Sequence, residues 1–341
     1  GNENSTFYLG IGNTNQGGIV RNSSYERTTI DLKTKTKIGD KTTFKAKFTY
    51  SNISSNRVQQ GSNLAGLYLG LYRTPADFDN TDFIGTNFSS SGVPSFNSHR
   101  AYRQDVGTFT GDLNPSYNNP LWSTDVQKNP NNVNRYIAGF ELKHEVNQWL
   151  SLLGRFGIDG YSDKKISMFP MNSAENGGNG NASESVIDFN QYNADIMALG
   201  DIKINENTNL NYLAGINFSE RKYDARGGTY KNFLVDTNTF SYDNALIVDK
   251  TTFLDRTYSK LNGAYFSTAF DYKSYLFLTL GGRFETSSAY DPNLKVYFYP
   301  SVEFGYKFIN NIKENKILTD GKLHLLKNSN WHYQGCWQWP L

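Results

Sequence analysis

Polarity alternates residue by residue along most of this chain, and few architectures reward that. In residues 24–38, SYERTTIDLKTKTKI, the even positions hold Ile30, Leu32 and Ile38 with threonines between them, and the odd positions hold Asp31, Lys33, Lys35 and Lys37. A period of two is the geometry of an extended strand, whose successive side chains point to opposite faces. One such strand would suit any half-buried antiparallel sheet. The repetition is what narrows the choice. Phe44, Ala46, Phe48 and Tyr50 alternate with Lys45, Lys47 and Thr49. Tyr136, Ala138, Phe140 and Leu142 alternate with Arg135, Gly139, Glu141 and Lys143. Leu152, Phe156 and Ile158 stand against Arg155, Gly157 and Asp159; Leu210, Tyr212, Ala214, Ile216 and Phe218 share one parity; and Leu276, Leu278, Leu280 and Phe284 oppose Thr279, Arg283 and Glu285. Noisier examples cover 188–204, 258–272 and 301–308. Strict alternation over stretches this long predicts many strands.

Alternation also reconciles a hydrophobic content of only 38% with an aromatic content of 15%, because half of every strand is spent on a polar face. A formal charge of +2, with lysines placed singly on alternate strand positions, argues against a nucleic-acid partner. The single cysteine, Cys336, excludes an internal disulfide framework and a thiolate metal cluster. No apolar run approaches the ~20 residues of a membrane helix; the longest, LAGLYLGLY at 64–72, is too short. With no initiator Met and no signal peptide in view, the expectation is a mature form or a fragment.

Connection length alternates as well. Short turns are expected at 39–41, 147–148, 205–209 and 273–274, and longer Asn/Ser/Gly-rich segments at 14–23, 52–134, 162–185, 225–257 and 287–294. Outer-membrane barrels show this asymmetry, with tight turns at one rim and long loops at the other. Trp149, Tyr272, Tyr275 and Phe308 fall beside the short turns, where an interfacial aromatic girdle belongs. The expectation is therefore that Ile30, Leu32, Phe44, Phe48, Phe140 and Leu142 face lipid, together with Phe156, Ile158, Ile216, Phe218, Leu278 and Leu280. A watered lumen would then receive Asp31, Lys33, Lys45, Lys47 and Glu141, and likewise Lys143, Arg155, Asp159, Arg283 and Glu285.

Four stretches carry a family resemblance. NPLWSTDVQKNPNNVNRYIAGFELKHEVNQWLSLLGRFGIDGYSD at 119–163 resembles the middle of the barrel in SusC/RagA-type TonB-dependent outer-membrane transporters, where an Asn-Pro-aromatic loop leads into a hairpin whose turn ends in Trp-Leu. FYLGIGNTNQGGIVRNSSYER at 7–27 is similar to an early hairpin of that family, LGLYRTPADF at 69–78 to its extracellular helix-and-loop segment, and YFYPSVEFGYKF at 297–308 to its Tyr-Phe-Pro-Ser strand. The resemblance runs from about residue 5 to about residue 322. It implies a 22-stranded barrel with an N-terminal plug, a TonB box and a SusD-like lipoprotein lid, importing glycans or peptides with energy from TonB. Plug, TonB box and roughly half of the strands are not seen here, since the alternation gives only about ten or eleven. Two bare sheet edges cannot face hydrocarbon, so these residues alone are not expected to transport.

Catalytic and metal motifs are weak. DFDNTD at 77–82 groups Asp77, Asp79 and Asp82 but lacks the ligand pattern, glycine and closing glutamate of a calcium loop. ENGGNGN at 175–181 has no following Lys-Ser/Thr and opens no helix, so it reads as a loop and not a phosphate cradle. SSSGVPS at 89–95 with His99 is no nucleophile elbow, and His144, on the lipid-side parity beside a short turn, reads as interfacial. Binding is the better expectation. Tyr72, Tyr102, Tyr117 and Trp122, in the long loop, could offer flat rings to sugars or peptide side chains, or could pack that loop on itself.

The sequence thus predicts an all-β, antiparallel, up-and-down transmembrane β-barrel wall over residues 1–322, with a long extracellular loop at about 52–134 and an atypical tail over 323–341, read as an out-of-frame or truncated end with an ordinary exposed tail as the alternative. No catalytic residue, metal or cofactor is expected. Implied by the resemblance are a Gram-negative outer-membrane location, outer-membrane lipid around the wall, and a SusD-like lipoprotein and the TonB complex as partners of the intact protein. A secreted or surface β-rich binding or adhesion protein and a passive porin-like channel are the alternatives.

Overall fold

The computed structural model describes residues 1–59, 61–89, 94–102, 110–111, 117–237, 239–289, 296–307 and 322–328. Strands β1 (Ser5–Gly17), β2 (Ser24–Ile38) and β3 (Thr42–Asn56) come first. The connection that follows holds helix α1 (Leu67–Arg73), the short strands β4 (Ile84–Ser89), β5 (Pro94–His99) and β6 (Thr110–Gly111), and helix α2 (Pro120–Val126). Then come β7 (Pro130–Glu145), β8 (Ser151–Met171), β9 (Asn179–Asn205), β10 (Thr208–Lys231), β11 (Lys250–Tyr272), β12 (Leu276–Ser287), β13 (Tyr297–Lys307) and β14 (Lys322–Asn328). Eleven strands make one antiparallel meander, β1-β2-β3-β7-β8-β9-β10-β11-β12-β13-β14, while β5-β4-β6 form a small separate sheet. Among the described residues nothing pairs β1 with β14, so the sheet is open.

Register is where the alternation pays off. Phe44 lies opposite Leu142, Leu142 opposite Gly154, Gly154 opposite Ile196, and the row continues through Ile216, Ala264, Phe284 and Phe298. One residue along each strand, a second row runs Lys45, Glu141, Arg155, Asp195, Asn217, Gly263 and Glu285. Sliding any strand by one residue would exchange the faces, so the pattern fixes the pairing. All twelve residues expected to face lipid share the first face, and all ten expected to face a lumen share the second.

Among the described residues no second layer covers the apolar face. Leu142 and Phe298 keep 49% of their surface exposed, Phe48 and Leu280 38%, while Ile30, Leu32, Phe44, Ile158 and Leu278 are only partly covered by their neighbours. A soluble sandwich would seal these side chains. Aromatic rows bound the face at both ends. Beside the short turns, Tyr275 meets Tyr272 edge-on at 5.7 Å and Tyr306 at 6.2 Å, and the Tyr212 hydroxyl donates to the Trp149 carbonyl at 2.5 Å. At the other end Tyr50 pairs with Tyr136, and Tyr192 and Tyr258 continue that level on β9 and β11. On β10 the apolar side chains between them run from Leu210 to Phe218, matching the ~9–11 residues of a tilted spanning strand. Phe308, expected in the lower girdle, lies outside the described residues.

From β1 to β13 the short and long connections fall at opposite rims as expected, while the fourteen residues between β13 and β14, which leave from the short-turn rim, lie outside the described residues. At the short-turn rim Gly39 has a φ of 64°, and Lys273 and Ser274 take the left-handed conformation consecutively, as a tight hairpin turn requires. Asparagines at the opposite rim serve the same need: Asn22, Asn172, Asn176 and Asn232 all have positive φ. Four segments read as loops are partly ladder: 14–17 pairs with β2, and 52–56 pairs with β2 and with 130–134 of β7. Residues 162–171 and 179–185 extend the β8–β9 hairpin, and 225–231 and 250–257 extend β10–β11. Backbone pairing continues there although apolar and polar residues no longer alternate, as in KKISMFPM at 164–171, which erases the pattern that sequence reading depends on. At the far end, β14 pairs with β13 from Lys322 through Asn328; the tail from 329 onward, with Cys336 and three tryptophans, lies outside the described residues.

Candidate functional site: a charged face beneath packed loops

Charges on the polar face pair mostly across strands, and two of the carboxylates, Glu141 and Asp195, each serve two other strands. Glu141 on β7 accepts from Lys45 Nζ of β3 at 2.9 Å and from Arg155 Nε of β8 at 2.8 Å. Arg135 forks onto Asp159, Nε to Oδ1 at 3.0 Å and Nη2 to Oδ2 at 2.8 Å. Thr49 donates to Asp31 at 2.6 Å. Further round the sheet Asn217 donates to Asp195 at 2.9 Å, Tyr265 donates to the same carboxylate at 3.3 Å, and Arg283 reaches Asn217 Oδ1 at 3.4 Å and Glu285 at 2.6 Å. Arg283 has room for this because a glycine, Gly263, stands opposite Glu285; a Cβ there would meet the guanidinium at 2.7 Å. Balanced pairs of this kind leave a polar wall that binds water and hydrogen-bonding ligands without presenting a field of one sign.

Above the polar face the long connections fold on one another. Asn118 and Asn119 are buried at their meeting point. Asn119 caps α2, its Oδ1 accepting from Leu121 N at 2.8 Å and Trp122 N at 3.4 Å, while its Nδ2 donates to the Arg100 carbonyl at 2.8 Å. Asn118 Nδ2 donates to Ser173 Oγ at 3.0 Å, and its Oδ1 accepts from Ala174 N at 2.6 Å. Ser62 Oγ holds Ala65 N at 2.7 Å and donates to Glu175 at 2.7 Å. Arg21 and Asn22 from the β1–β2 turn reach Asp125 at 3.1 and 2.7 Å. A second core sits at the β10–β11 tip, where Tyr230, Phe233, Met168, Ala182 and Ala245 are buried under Phe240 and Tyr242. Burial raises the Tyr230 and Tyr242 phenols and the Asp236 carboxyl above their ordinary values.

These contacts separate the four loop aromatics. Trp122 and Tyr117 keep only 1% and 2% of their surface, and Tyr117 also donates to the Arg73 carbonyl at 3.4 Å. As ligand-contacting residues both are therefore corrected: an irregular segment needs its own core, and these rings supply it. Tyr72, on the outer side of α1, and Tyr102, edge-on to Phe78 at 5.7 Å, stay exposed. Asp79 is engaged locally, accepting from Thr81 N and Oγ1 at 2.8 and 2.6 Å, and the threonine holds its carboxyl below the usual range. Among the described residues no cluster of His, Cys, Asp or Glu could hold a metal ion. His144 Nδ1 lies 2.9 Å from Thr42 Oγ1 beside a short turn. The side chains of Ser95 and His99 lie outside what is described. The upper tyrosine row escaped the sequence reading, since it emerges only when register is known.

No family model matches the chain. In sequence it is similar to two TonB-dependent receptors of Formosa agariphila: 23% identical over 316 residues, covering 89% of this chain and 29% of that receptor, and 24% identical over 339 residues, covering 96% and 29%. The chain thus spans under a third of the length of these relatives. In fold it resembles the RagAB peptide transporter, with a TM-score of 0.73 and 15% identity over 96% of this chain and 35% of that one. The open-open state of the same importer gives 0.75 and 16% over 95% and 34%. The resemblance to SusC/RagA-type TonB-dependent receptors is borne out: these residues form a stretch of open, up-and-down barrel wall of that kind, at home in the Gram-negative outer membrane.

Proposed function

We propose that this chain is part of the wall and outer loops of a TonB-dependent outer-membrane importer. Its apolar face, from Leu9 and Ile30 round to Phe298, faces lipid, and its polar face, from Lys33 and Lys45 round to Arg283 and Glu285, lines the passage. The observation that supports this most strongly is the uncovered apolar face, bounded by two aromatic rows and registered across eleven strands. An aqueous solvent on both sides would leave that face without a partner, whereas a bilayer supplies one. The long connections then lie outside the cell, and exposed Tyr72 and Tyr102 are the rings open to incoming ligand. Closure of the passage requires further strands along the edges of β1 and β14.

Of the substrates the resemblance implies, short peptides have the added support of the RagAB importer's fold, with glycans as the other class. A SusD-like lipoprotein over the mouth and the TonB complex below complete the machine. Cysteine labelling in cells tests the two faces. In a Cys336→Ser background, Lys47→Cys and Arg155→Cys should react with a small water-soluble maleimide, while Phe218→Cys and Leu280→Cys should not. Equal labelling of all four would overturn the lipid assignment. Loss of peptide uptake on deleting either this gene or TonB would support import; unchanged uptake of both peptides and oligosaccharides would overturn it.

A further inference from the structure

At the upper tyrosine row, where Glu220 pairs with Tyr192 and Lys222 with Tyr258, the outward face turns abruptly charged, on the apolar side of the wall and not on the lined passage. On β10, Phe218 is followed on the same face by Glu220, Lys222, Asp224 and Arg226. Their cross-strand partners on β11 are Lys260 for Glu220, Tyr258 for Lys222 and Arg256 for Asp224. Glu220 binds Lys222 at 2.8 Å with Lys260 at 3.8 Å, and Asp224 binds Arg256 at 2.7 Å. Arg226 spans Asp188 at 2.6 Å and Asp224 at 3.4 Å. The arrangement has a consistent depth. Side chains of Lys222, Lys260, Arg226 and Arg256 are 51–67% exposed, whereas their three carboxylates are 28–34% exposed. Carboxylates lie against the sheet and the cations project outward.

Aromatic rings frame the same spot. Lys222 Nζ lies 5.9 Å from the Tyr192 ring and 5.8 Å from Tyr258, and Lys260 Nζ lies 5.3 Å from Tyr258. Lys222 is four residues above Phe218, about 10 Å along the barrel axis at the usual rise and tilt. That is headgroup depth for a leaflet whose tails cover Phe218. Water-facing cations on a soluble surface need no such registration with an apolar band.

We propose that Lys222, Lys260 and Arg256, framed by Tyr192 and Tyr258, form an outward-facing site for the phosphate groups of an anionic lipid headgroup in the outer leaflet. The cations donate to phosphate oxygens, the tyrosine rings pack on the headgroup scaffold, and the recessed carboxylates hold the cations in place. This rests on the membrane placement proposed above. The full-length protein, wild type and the Lys222→Gln/Lys260→Gln/Arg256→Gln variant, is reconstituted into vesicles of phosphatidylethanolamine alone, or with diphosphoryl or monophosphoryl lipid A. Lipid A retained per protein after mild extraction is then counted by native mass spectrometry. Wild type should retain the diphosphoryl form several-fold better than the monophosphoryl form. The triple variant should lose on the order of a hundredfold in affinity, at about fivefold per cation removed. Lys222→Arg/Lys260→Arg should retain the lipid, which separates loss of charge from misfolding. Equal retention of both lipids by wild type, undiminished retention by the triple variant, or displacement by millimolar inorganic phosphate alone would each overturn the lipid site. Failure to enter phosphatidylethanolamine vesicles at all would instead overturn the membrane placement, a result visible before any lipid A is added.

Discussion

The wall and the loop cap are built from the same chain by opposite means. Between the two aromatic rows a single sheet is held by continuous backbone ladders, and its large apolar side chains stay uncovered. In the cap the backbone is largely irregular, yet Trp122, Asn118 and Asn119 are fully buried. A strand whose neighbours satisfy every N–H and C=O needs only a solvent that accepts its side chains. Chain without a ladder must find partners one by one, and the buried Asn118–Asn119 pair does this for three separate segments.

Four measurements put that contrast under load, the largest effect first. Trp122→Ala should cost the cap about 3–5 kcal/mol through the cavity it leaves. Limited proteolysis should then cut within 57–129 while hydrogen exchange in β7–β12 stays as in wild type; joint loss of both would show that cap and wall are one cooperative unit. Leu280→Arg, near mid-depth of the apolar face, should lower stability in lipid by about 2–4 kcal/mol, against little change for Thr279→Arg on the polar face, read from urea unfolding in vesicles. Asn119→Ala removes the cap of α2 and should cost about 1–2 kcal/mol, seen as faster amide exchange at Leu121 and Trp122. The smallest effect concerns pH. Hydrogen bonding from Ser162, then pairing with Arg226, holds the Asp188 carboxyl below its usual value of 3.8. Its stabilisation is therefore complete above that value and fades as pH falls further, through the folded-state value. Amide exchange in the β9–β10 extension should rise below about pH 4, with the wall between the tyrosine rows unaffected, and Arg226→Gln should weaken the pH response.

Legibility followed the same divide. Wall strands could be read because apolar and polar residues alternate strictly along them, so that Phe44 and Leu280 fall on one face and Glu141 and Arg283 on the other. The hairpin extensions at 162–171 and 225–231 carry continuous ladders as well, but their apolar residues, Ile166, Met168, Phe169 and Tyr230 among them, follow no period of two. For Trp122 and Tyr117 the sequence left ligand contact and loop packing both open, because an irregular segment has no period to reveal its inside. Tyr50, Tyr136, Tyr192 and Tyr258 lie far apart in sequence and become a row only through pairing between strands. The NPLW motif helped carry the resemblance, and its asparagine, Asn119, acts as a bracket between α2 and the Arg100 carbonyl.

The unbroken length of β10 has a mechanical meaning. It pairs on both sides nearly from end to end, its one shift in register coming at Thr208/Asn209, and its twenty-four residues extend about 80 Å along the strand. Such a ribbon has no joint at which to bend. Force applied to the buried aromatic knot at its outer tip would be carried as tension and shear through the full thickness of the membrane, arriving at the short turn beneath with little lost on the way.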